Sequence, residues 1–131
     1  MYKSSENQMF DADVFDKMKK TAHALLQSAE KEQLTQAVVL YSEKNNEYGA
    51  VIKNAVSADV SDEARLVEKL RDTRDVKICY ALCMWHDGTL DMPSDAFRKM
   101  LMGLDESNRR TLLFVMTGGG VAVRSIASTI H

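Results

Sequence analysis

The stretch VKICYALCMW, residues 76–85, is the feature that most limits the folds open to this chain. Its residues are apolar on both alternating faces, with Val76, Ile78, Tyr80, Leu82 and Met84 on one side and Cys79, Ala81, Cys83 and Trp85 on the other. A strand that is covered on both sides lies in the centre of a sheet, with helices above and below it. The sequence therefore predicts a layered α/β fold.

Three amphipathic segments supply the helices for those layers. Apolar residues recur at steps of three and four over residues 11–32, which predicts a helix with Asp11 or Asp13 as its N-cap. A second helix is predicted over residues 61–72, and a third opens near Pro93 and closes around Gly103.

Two pairs of short apolar runs predict hairpins on either side of the central strand. Residues 36–42 and 48–54 flank a polar turn, and residues 111–117 and 121–128 flank GGG at 118–120. Helices between strands require crossovers, which makes the middle of the sheet parallel, while the hairpins make its ends antiparallel. The element order α-β-β-α-β-α-β-β thus predicts a three-layer α/β/α sandwich with a mixed five-stranded sheet.

The bulk properties indicate one small intracellular domain. The 131 residues predict a flexible N-terminus over 1–10 and a single domain over 11–131. A formal charge of −2 argues against nucleic-acid binding. No apolar run approaches the roughly 20 residues that span a bilayer, and no signal peptide is visible, so a cytoplasmic location is expected.

The two cysteines, Cys79 and Cys83, occur in the central run. Four residues along a strand place them about 13 Å apart, too far for a disulfide. Free, buried thiols are expected.

Cys83 and His86, with Asp87 and Asp91, form a weak metal-site pattern, and a buried thiol beside a loop histidine is the simpler interpretation. GGG lacks a phosphate-loop context and is read as a hairpin turn.

Two helix starts carry a resemblance to a known family. The second helix opens SDEARLVEKL and the third opens MPSDAFRKML, with thirty positions from Glu63 to Pro93. This spacing, with the element order, resembles the cytidine deaminase family, whose second helix opens with His or Cys, then Ala and Glu, and whose third opens with Pro-Cys-x-x-Cys. In that family the His or Cys and the two later cysteines bind zinc, and the Glu transfers protons.

The resemblance assigns substituted residues to that site. Ser61 falls on the first ligand, and Ser94 and Phe97 fall on the two cysteines, while Glu63 is retained. In GAVIKNA, residues 49–55, Asn54 and Ala55 match the family's Asn-x-Glu-Asn-Ala, but Val51 and Lys53 replace the residues that hold the ribose. The resemblance also implies a homo-oligomer, a dimer or tetramer.

A neutral hydroxyl is a poor zinc ligand and a phenyl ring is none, so neither zinc nor another cofactor is expected. The interpretation is a zinc-free, non-catalytic protein of this fold that binds a small molecule or a protein partner. Residues that could line its pocket are Asn54, Ser61, Glu63, Trp85, His86, Ser94 and Asp95. For Ser61 and Ser94 an N-cap, and for Glu63 a favourable charge in the first helical turn, are the simpler roles. The apolar ring of Phe97 indicates that this position has been repacked as core.

Two alternatives stay open at this point. One is an enzyme, a hydrolase or deaminase, with a rebuilt active site that uses Glu63 or Asp95, with Cys83 and His86 as further candidates. The other is an unrelated small α/β domain that lacks a parallel strand pair.

Overall fold

The computed structural model of the protein describes residues 10–29, 34–55, 57 and 59–130. Among these residues the helices are α1 (Ala12–Ser28), α2 (Ser61–Thr73), α3 (Asp95–Leu104) and α4 (Ile126–Thr129), with a 3₁₀ helix over Glu106–Arg110. The strands are β1 (Gln36–Ser42), β2 (Glu47–Ile52), β3 (Ile78–Trp85), β4 (Leu90–Asp91), β5 (Leu112–Thr117) and β6 (Gly120–Ser125). The predicted element order is confirmed, with β4, the 3₁₀ helix and α4 added to it.

The strands form one mixed sheet in the order β2-β1-β3-β5-β6, with the two-residue β4 paired to β3. The β1–β2 and β5–β6 hairpins are antiparallel, as predicted, and β3 runs parallel to β5. The parallel part is narrower than expected, because β1 and not β2 lies beside β3 and runs antiparallel to it. The hairpin places β2 at the edge of the sheet, and the chain then crosses over through α2.

Each face of the sheet carries its own apolar core, as a three-layer fold requires. One cluster joins β3 to α2 and α3 and includes Leu70, Phe97 and Leu101. The other joins the opposite face to α1 and includes Met18 and Phe114. The central strand β3 is therefore covered on both sides, which confirms the prediction from its two apolar faces.

The predicted orientation of the first residues of β3 is wrong, because the pairing with β1 shifts by one residue there. Tyr80 pairs with Tyr41 but Ile78 pairs with Ser42, so Cys79 has no partner on β1. The extra residue moves Ile78 to the face that holds Cys83, whereas Tyr80 lies on the opposite face. Cys79 is consequently exposed, and the expectation that both thiols are buried holds only for Cys83.

The start of α1 follows the predicted capping. The Asp11 carboxylate accepts hydrogen bonds from the backbone amides of Asp13 and Val14, both at 3.1 Å. The helix ends at Ser28, before the predicted end, and residues 30–33 lie outside the described residues. The predicted flexible segment 1–10 also lies outside them except for Phe10, whose ring meets that of Phe114 edge-on at 5.7 Å.

Within the described part of the chain, no helix has the length and apolar character that crossing a membrane requires.

Candidate functional site

The starts of α2 and α3 meet beside the carboxyl-terminal half of β3. The Ser94 hydroxyl, at the start of α3, donates a hydrogen bond to Oε2 of Glu63, in the first turn of α2, at 3.2 Å. Two residues that the sequence analysis selected 31 positions apart are thus in direct contact. This pair is the centre of the candidate site.

Glu63 is buried, and one of its carboxylate oxygens has no partner. Its side chain is 4% exposed, and among the described residues Oε1 makes no hydrogen bond. Glu63 lies in the first turn of α2, as predicted, but its side chain is buried there. The α2 helix presents Glu63 on the same face as Leu66, Val67 and Leu70, which pack into the core. Burial of an incompletely paired carboxylate opposes folding and points to a use beyond packing.

Ser94 has two roles at the start of α3. Its hydroxyl oxygen accepts a hydrogen bond from the Phe97 amide at 3.1 Å, which makes it the N-cap of the helix, as expected. The same group donates to Glu63. Both hydrogen-bonding functions of this hydroxyl are therefore used within the protein.

Ser61 does not have the predicted capping role. The N-cap of α2 is Val60, which makes no side-chain capping bond, and Ser61 is the first residue inside the helix. Its hydroxyl donates instead to the carboxylate of Asp59, and its side chain is exposed. The helix begins one residue earlier than a serine cap would require, because the Ala64 amide already bonds to the Val60 carbonyl at 2.9 Å.

Phe97 is part of the hydrophobic core. Its side chain is fully buried and belongs to the cluster that contains Leu70, Leu101 and Ile126. A phenyl ring at this position supplies apolar volume and no donor atom for a metal. Its burial agrees with the prediction that the position had been repacked as core.

Cys83 is a protonated thiol beside the site. It is fully buried in β3. Burial raises the pKa of this thiol well above its usual range, and the charges of Asp91 and Glu63 raise it further. His86, by comparison, is exposed in the turn that follows β3. No three potential metal ligands of the His, Cys, Asp or Glu type gather anywhere in the described ranges.

The remaining candidates have local structural partners. Trp85 Nε1 donates to the Asp91 carboxylate at 3.0 Å and so ties β4 to β3. Asp95 is exposed and pairs with Lys99 at 3.0 Å along one helix face. Asn54 is exposed in the turn after β2 with φ of 52°, a left-handed conformation that asparagine tolerates better than most residues. None of these contacts draws its residue to the Glu63–Ser94 pair.

Arg98 is a residue that the sequence analysis missed. It is nearly buried, and its guanidinium donates to the Pro93 carbonyl at 3.0 Å and to the Thr129 carbonyl at 3.2 Å. It therefore ties α4 to the start of α3. An arginine in an amphipathic helix gives no sign of burial in the sequence, because its partners are backbone groups far along the chain.

Solved structures show the same arrangement of elements. Cytidine deaminase from Mycobacterium leprae matches with a TM-score of 0.66 at 19% identity, over 88% of this chain and 95% of that one. An E47D variant of cytidine deaminase from Mycobacterium tuberculosis matches with a TM-score of 0.67 at 12% identity, over 91% and 92% of the two chains.

The chain has the cytidine deaminase fold. The cytidine deaminase from Bacillus anthracis extends the likeness to 96% of this chain and 86% of its own, at 10% identity and a TM-score of 0.62. No family model matches the sequence, and no curated protein matches it either. Because the identities are low, the likeness establishes the cytidine deaminase fold and leaves the activity to the residues of the site.

Those residues do not fit the zinc ion of the cytidine deaminase fold. A zinc site needs thiolate, imidazole or carboxylate donors in tetrahedral arrangement. At the positions that the resemblance assigns to the ligands, the Ser61 hydroxyl bonds to Asp59, the Ser94 hydroxyl caps α3, and Phe97 is a buried ring. Glu63 remains at the position of the family's glutamate.

Proposed function

We propose that this protein is a non-catalytic member of the cytidine deaminase fold, without zinc, that binds a small molecule or a protein partner at the paired starts of α2 and α3. The burial of Phe97, at a position where the family carries a metal ligand, is the observation that carries this proposal. The hydrogen bonds that use the Ser94 hydroxyl support it.

The chemistry of deamination explains why these substitutions matter. Attack on a pyrimidine ring needs a hydroxide at neutral pH, which zinc supplies by lowering the pKa of its bound water to about 7. A serine hydroxyl and a phenyl ring cannot hold that ion. Ser94, which the resemblance places on a ligand, instead joins the two helix starts through Glu63. The two helix starts are retained, while the side chains at the ligand positions stabilise the fold.

Glu63 indicates which chemical group a ligand would present. Its Oε1 is buried without a partner among the described residues, and leaving such an acceptor unpaired costs about 1–3 kcal/mol. An N–H or O–H donor on a ligand or partner would satisfy it. The proposed occupant therefore carries a hydrogen-bond donor that reaches Oε1.

The alternative function is an enzyme with a rebuilt active site, and the same unpaired oxygen favours it. A carboxylate with one free oxygen can act as a general acid or base. The other groups considered for such a site do not join it: Asp95 pairs with Lys99 at the surface, and Cys83 is held protonated by burial. A base without a nucleophile or an activated water gives little rate enhancement, so binding is the preferred function.

A deamination assay separates the two functions. Purified protein is incubated with cytidine, with and without added zinc, and the ultraviolet spectrum is followed, together with Glu63→Gln and the control Glu68→Gln. Glu68 is exposed on the same helix, so the control changes a charge without touching the site. No spectral change is expected from any of the three proteins. Turnover that Glu63→Gln abolishes and Glu68→Gln preserves would establish the enzyme instead.

We further propose that the protein forms a homo-oligomer, a dimer or tetramer, in the cytoplasm. The family resemblance supports self-association, and the exposed side chain of Met116 at the β5–β6 hairpin is apolar surface that a partner would cover. The free thiols of Cys79 and Cys83 suit a reducing compartment. Sedimentation velocity at several concentrations tests the assembly, and a single monomeric species at all of them would contradict it.

A further inference from the structure

A second group of charged residues lies at the other end of the sheet from Glu63. Lys44 in the β1–β2 turn, Arg74 after α2, Lys77 before β3 and Arg110 at the end of the 3₁₀ helix come from four separate segments. Lys44, Arg74 and Lys77 line a cavity of about 320 Å³, and Lys77 and Arg110 line one of about 310 Å³. The two cavities adjoin, since both are lined by Lys77 and by Glu43. We call these four residues the basic end of the sheet.

The charge of these cavities is opposite in sign to that of the whole chain. Their walls hold the four cations and two carboxylates, Glu43 and Asp75, a local charge of +2 in a chain whose formal charge is −2. Asp105 lies close enough to be influenced by Lys77 and Arg110, and its inclusion still leaves an excess of cations. Such a local excess in an acidic protein favours an anionic ligand.

None of the four cations has a carboxylate within salt-bridge distance in the described ranges. Asp75, the buried acid of the group, is occupied by other donors: its Oδ2 accepts hydrogen bonds from Ser42 at 2.7 Å, Tyr48 at 2.8 Å and Asn46 at 3.0 Å. Lys44 contacts the Arg74 carbonyl at 3.4 Å. All four cationic side chains are exposed, so an anion from outside the chain can reach them.

The backbone of Arg74 is a second, independent indication. It has φ of 58° and ψ of 30°, the left-handed conformation that commonly ends a helix and that strongly favours glycine. An arginine held there is strained, and strain retained at one residue is typical of a functional position. Arginine at a position that favours glycine indicates that the Arg74 side chain has a function there.

The cavity of about 310 Å³ is also lined by apolar residues. Tyr80, Leu112 and Ile78 line one cavity together with Lys77 and Arg110. The register shift that leaves Cys79 unpaired interrupts the β1–β3 ladder at the same place, and Cys79 lines this cavity too. A charged rim beside apolar residues suits a ligand with one anionic group and one flat or apolar group.

We propose that the basic end of the sheet binds a small organic anion, whose phosphate or carboxylate lies against Lys77 and Arg110 and whose apolar part lies against Tyr80 and Leu112, while Arg74 in the adjoining cavity adds to the local positive charge. This site is separate from the Glu63–Ser94 pair and does not depend on the function proposed there. Phosphate and carboxylate each present at least two acceptor oxygens, to which a guanidinium group can donate two parallel hydrogen bonds.

Cys79 gives a direct reporter of occupancy. The chain has two cysteines, and Cys79 is exposed at the cavity while Cys83 is fully buried. Iodoacetamide therefore alkylates Cys79 in the folded protein. A bound anion covers this thiol and opposes formation of its thiolate, so binding slows the reaction.

The test measures alkylation of Cys79 in the full chain at fixed ionic strength, with phenyl phosphate, benzoate, inorganic phosphate or phenol as probe. Phenyl phosphate or benzoate is expected to protect Cys79 saturably, inorganic phosphate more weakly, and phenol not at all. Comparison of the protection by phenyl phosphate with that by benzoate shows whether the site prefers a phosphate or a carboxylate. No saturable protection by either aromatic anion up to about 10 mM, a concentration that reaches weak millimolar sites, would overturn the proposal.

Three variants make the result specific. Lys77→Ala is expected to weaken binding about tenfold, whereas the control Lys69→Ala, an exposed lysine of α2 outside these cavities, leaves it unchanged. Arg74→Gly is expected to weaken binding while raising the melting temperature, because glycine relieves the left-handed strain. Equal effects of the two lysine variants, or undiminished binding by Arg74→Gly, would contradict the assignment.

Discussion

The Ser94 hydroxyl lies 3.2 Å from Oε2 of Glu63 and joins the first turns of two helices that belong to different parts of the chain. In the cytidine deaminase family, by the resemblance, a metal ligand occupies the position of Ser94. Here a hydroxyl links the helix starts and also caps α3 through the Phe97 amide. Four consequences for stability follow from this site and from the opposite end of the sheet.

Replacing Ser94 with alanine removes both of its hydrogen bonds. The Phe97 amide loses its cap and Oε2 of Glu63 loses its hydrogen bond, so we expect Ser94→Ala to lower the free energy of unfolding by about 1–3 kcal/mol. Ser61→Ala is the matched control, since Ser61 is exposed and is not a cap. Urea unfolding measures both. A loss for Ser61→Ala as large as that for Ser94→Ala would mean that the helix starts are wrongly assigned.

Replacing Glu63 with methionine removes a buried and half-satisfied carboxylate while keeping its approximate volume. The half-buried Ser94 hydroxyl that is left behind can bond to water, so removal of the unsatisfied charge is expected to raise the free energy of unfolding by about 1 kcal/mol. Glu68→Met, at an exposed position of the same helix, is expected to change it by less than about 0.5 kcal/mol. A large loss in Glu63→Met would show that the carboxylate stabilises the fold and is not kept for a ligand.

Replacing Phe97 with alanine opens a cavity in the core between α2, α3 and the sheet. Because the ring is fully buried, the expected loss is about 3–5 kcal/mol, measured as a shift in the denaturation midpoint. Leu34→Ala is the control, since that side chain is 40% exposed. A small loss for Phe97→Ala would mean that the ring does not fill the position where the family binds its metal.

Asp75 gives a pH-dependent prediction. Burial opposes its charge, but hydrogen bonds from Asn46, Ser42 and Tyr48 outweigh burial and lower the pKa of the carboxyl. A lowered pKa means that the charged form stabilises the fold above the unfolded-state value of about 3.9, and that this contribution is lost as the pH falls through the native pKa. The stability difference between the wild-type protein and Asp75→Asn should therefore be constant above about pH 5 and shrink below about pH 4.

Asp72→Asn provides the comparison for that measurement, because Asp72 is exposed near the same end of α2. Its effect on the free energy of unfolding should stay within about 0.5 kcal/mol across the same pH range. If the difference for Asp75→Asn grows as the medium is acidified, the direction of the pKa shift is wrong.

Much of the fold was predictable because its patterns are local. The two apolar faces of residues 76–85 identified the central strand, and the runs at 36–42 and 111–117 agreed with β1 and β5 to within a residue. The cap at Asp11 and the cap at Ser94 followed from residue type and position. The element order and the spacing of the two helix starts predicted the cytidine deaminase fold, which the likeness to solved structures confirms.

The features that the sequence did not predict depend on contacts between distant segments of the chain. The register shift at Cys79 arises from pairing with β1 and reverses the face of Ile78, which no periodicity within β3 reveals. Glu63 was correctly placed in the first turn of α2, but no local pattern reveals that its side chain is buried there. Arg98 gave no signal, since its partners are the carbonyls of Pro93 and Thr129.

The zinc content of the purified protein tests the central claim most directly. The protein is expressed with zinc in the medium, dialysed without chelator, and measured by mass spectrometry of the metals and by zinc absorption spectroscopy. Because Ser61, Ser94 and Phe97 offer no ligand set, we expect far less than one zinc per chain. One tightly bound, tetrahedrally coordinated zinc per chain would contradict the account.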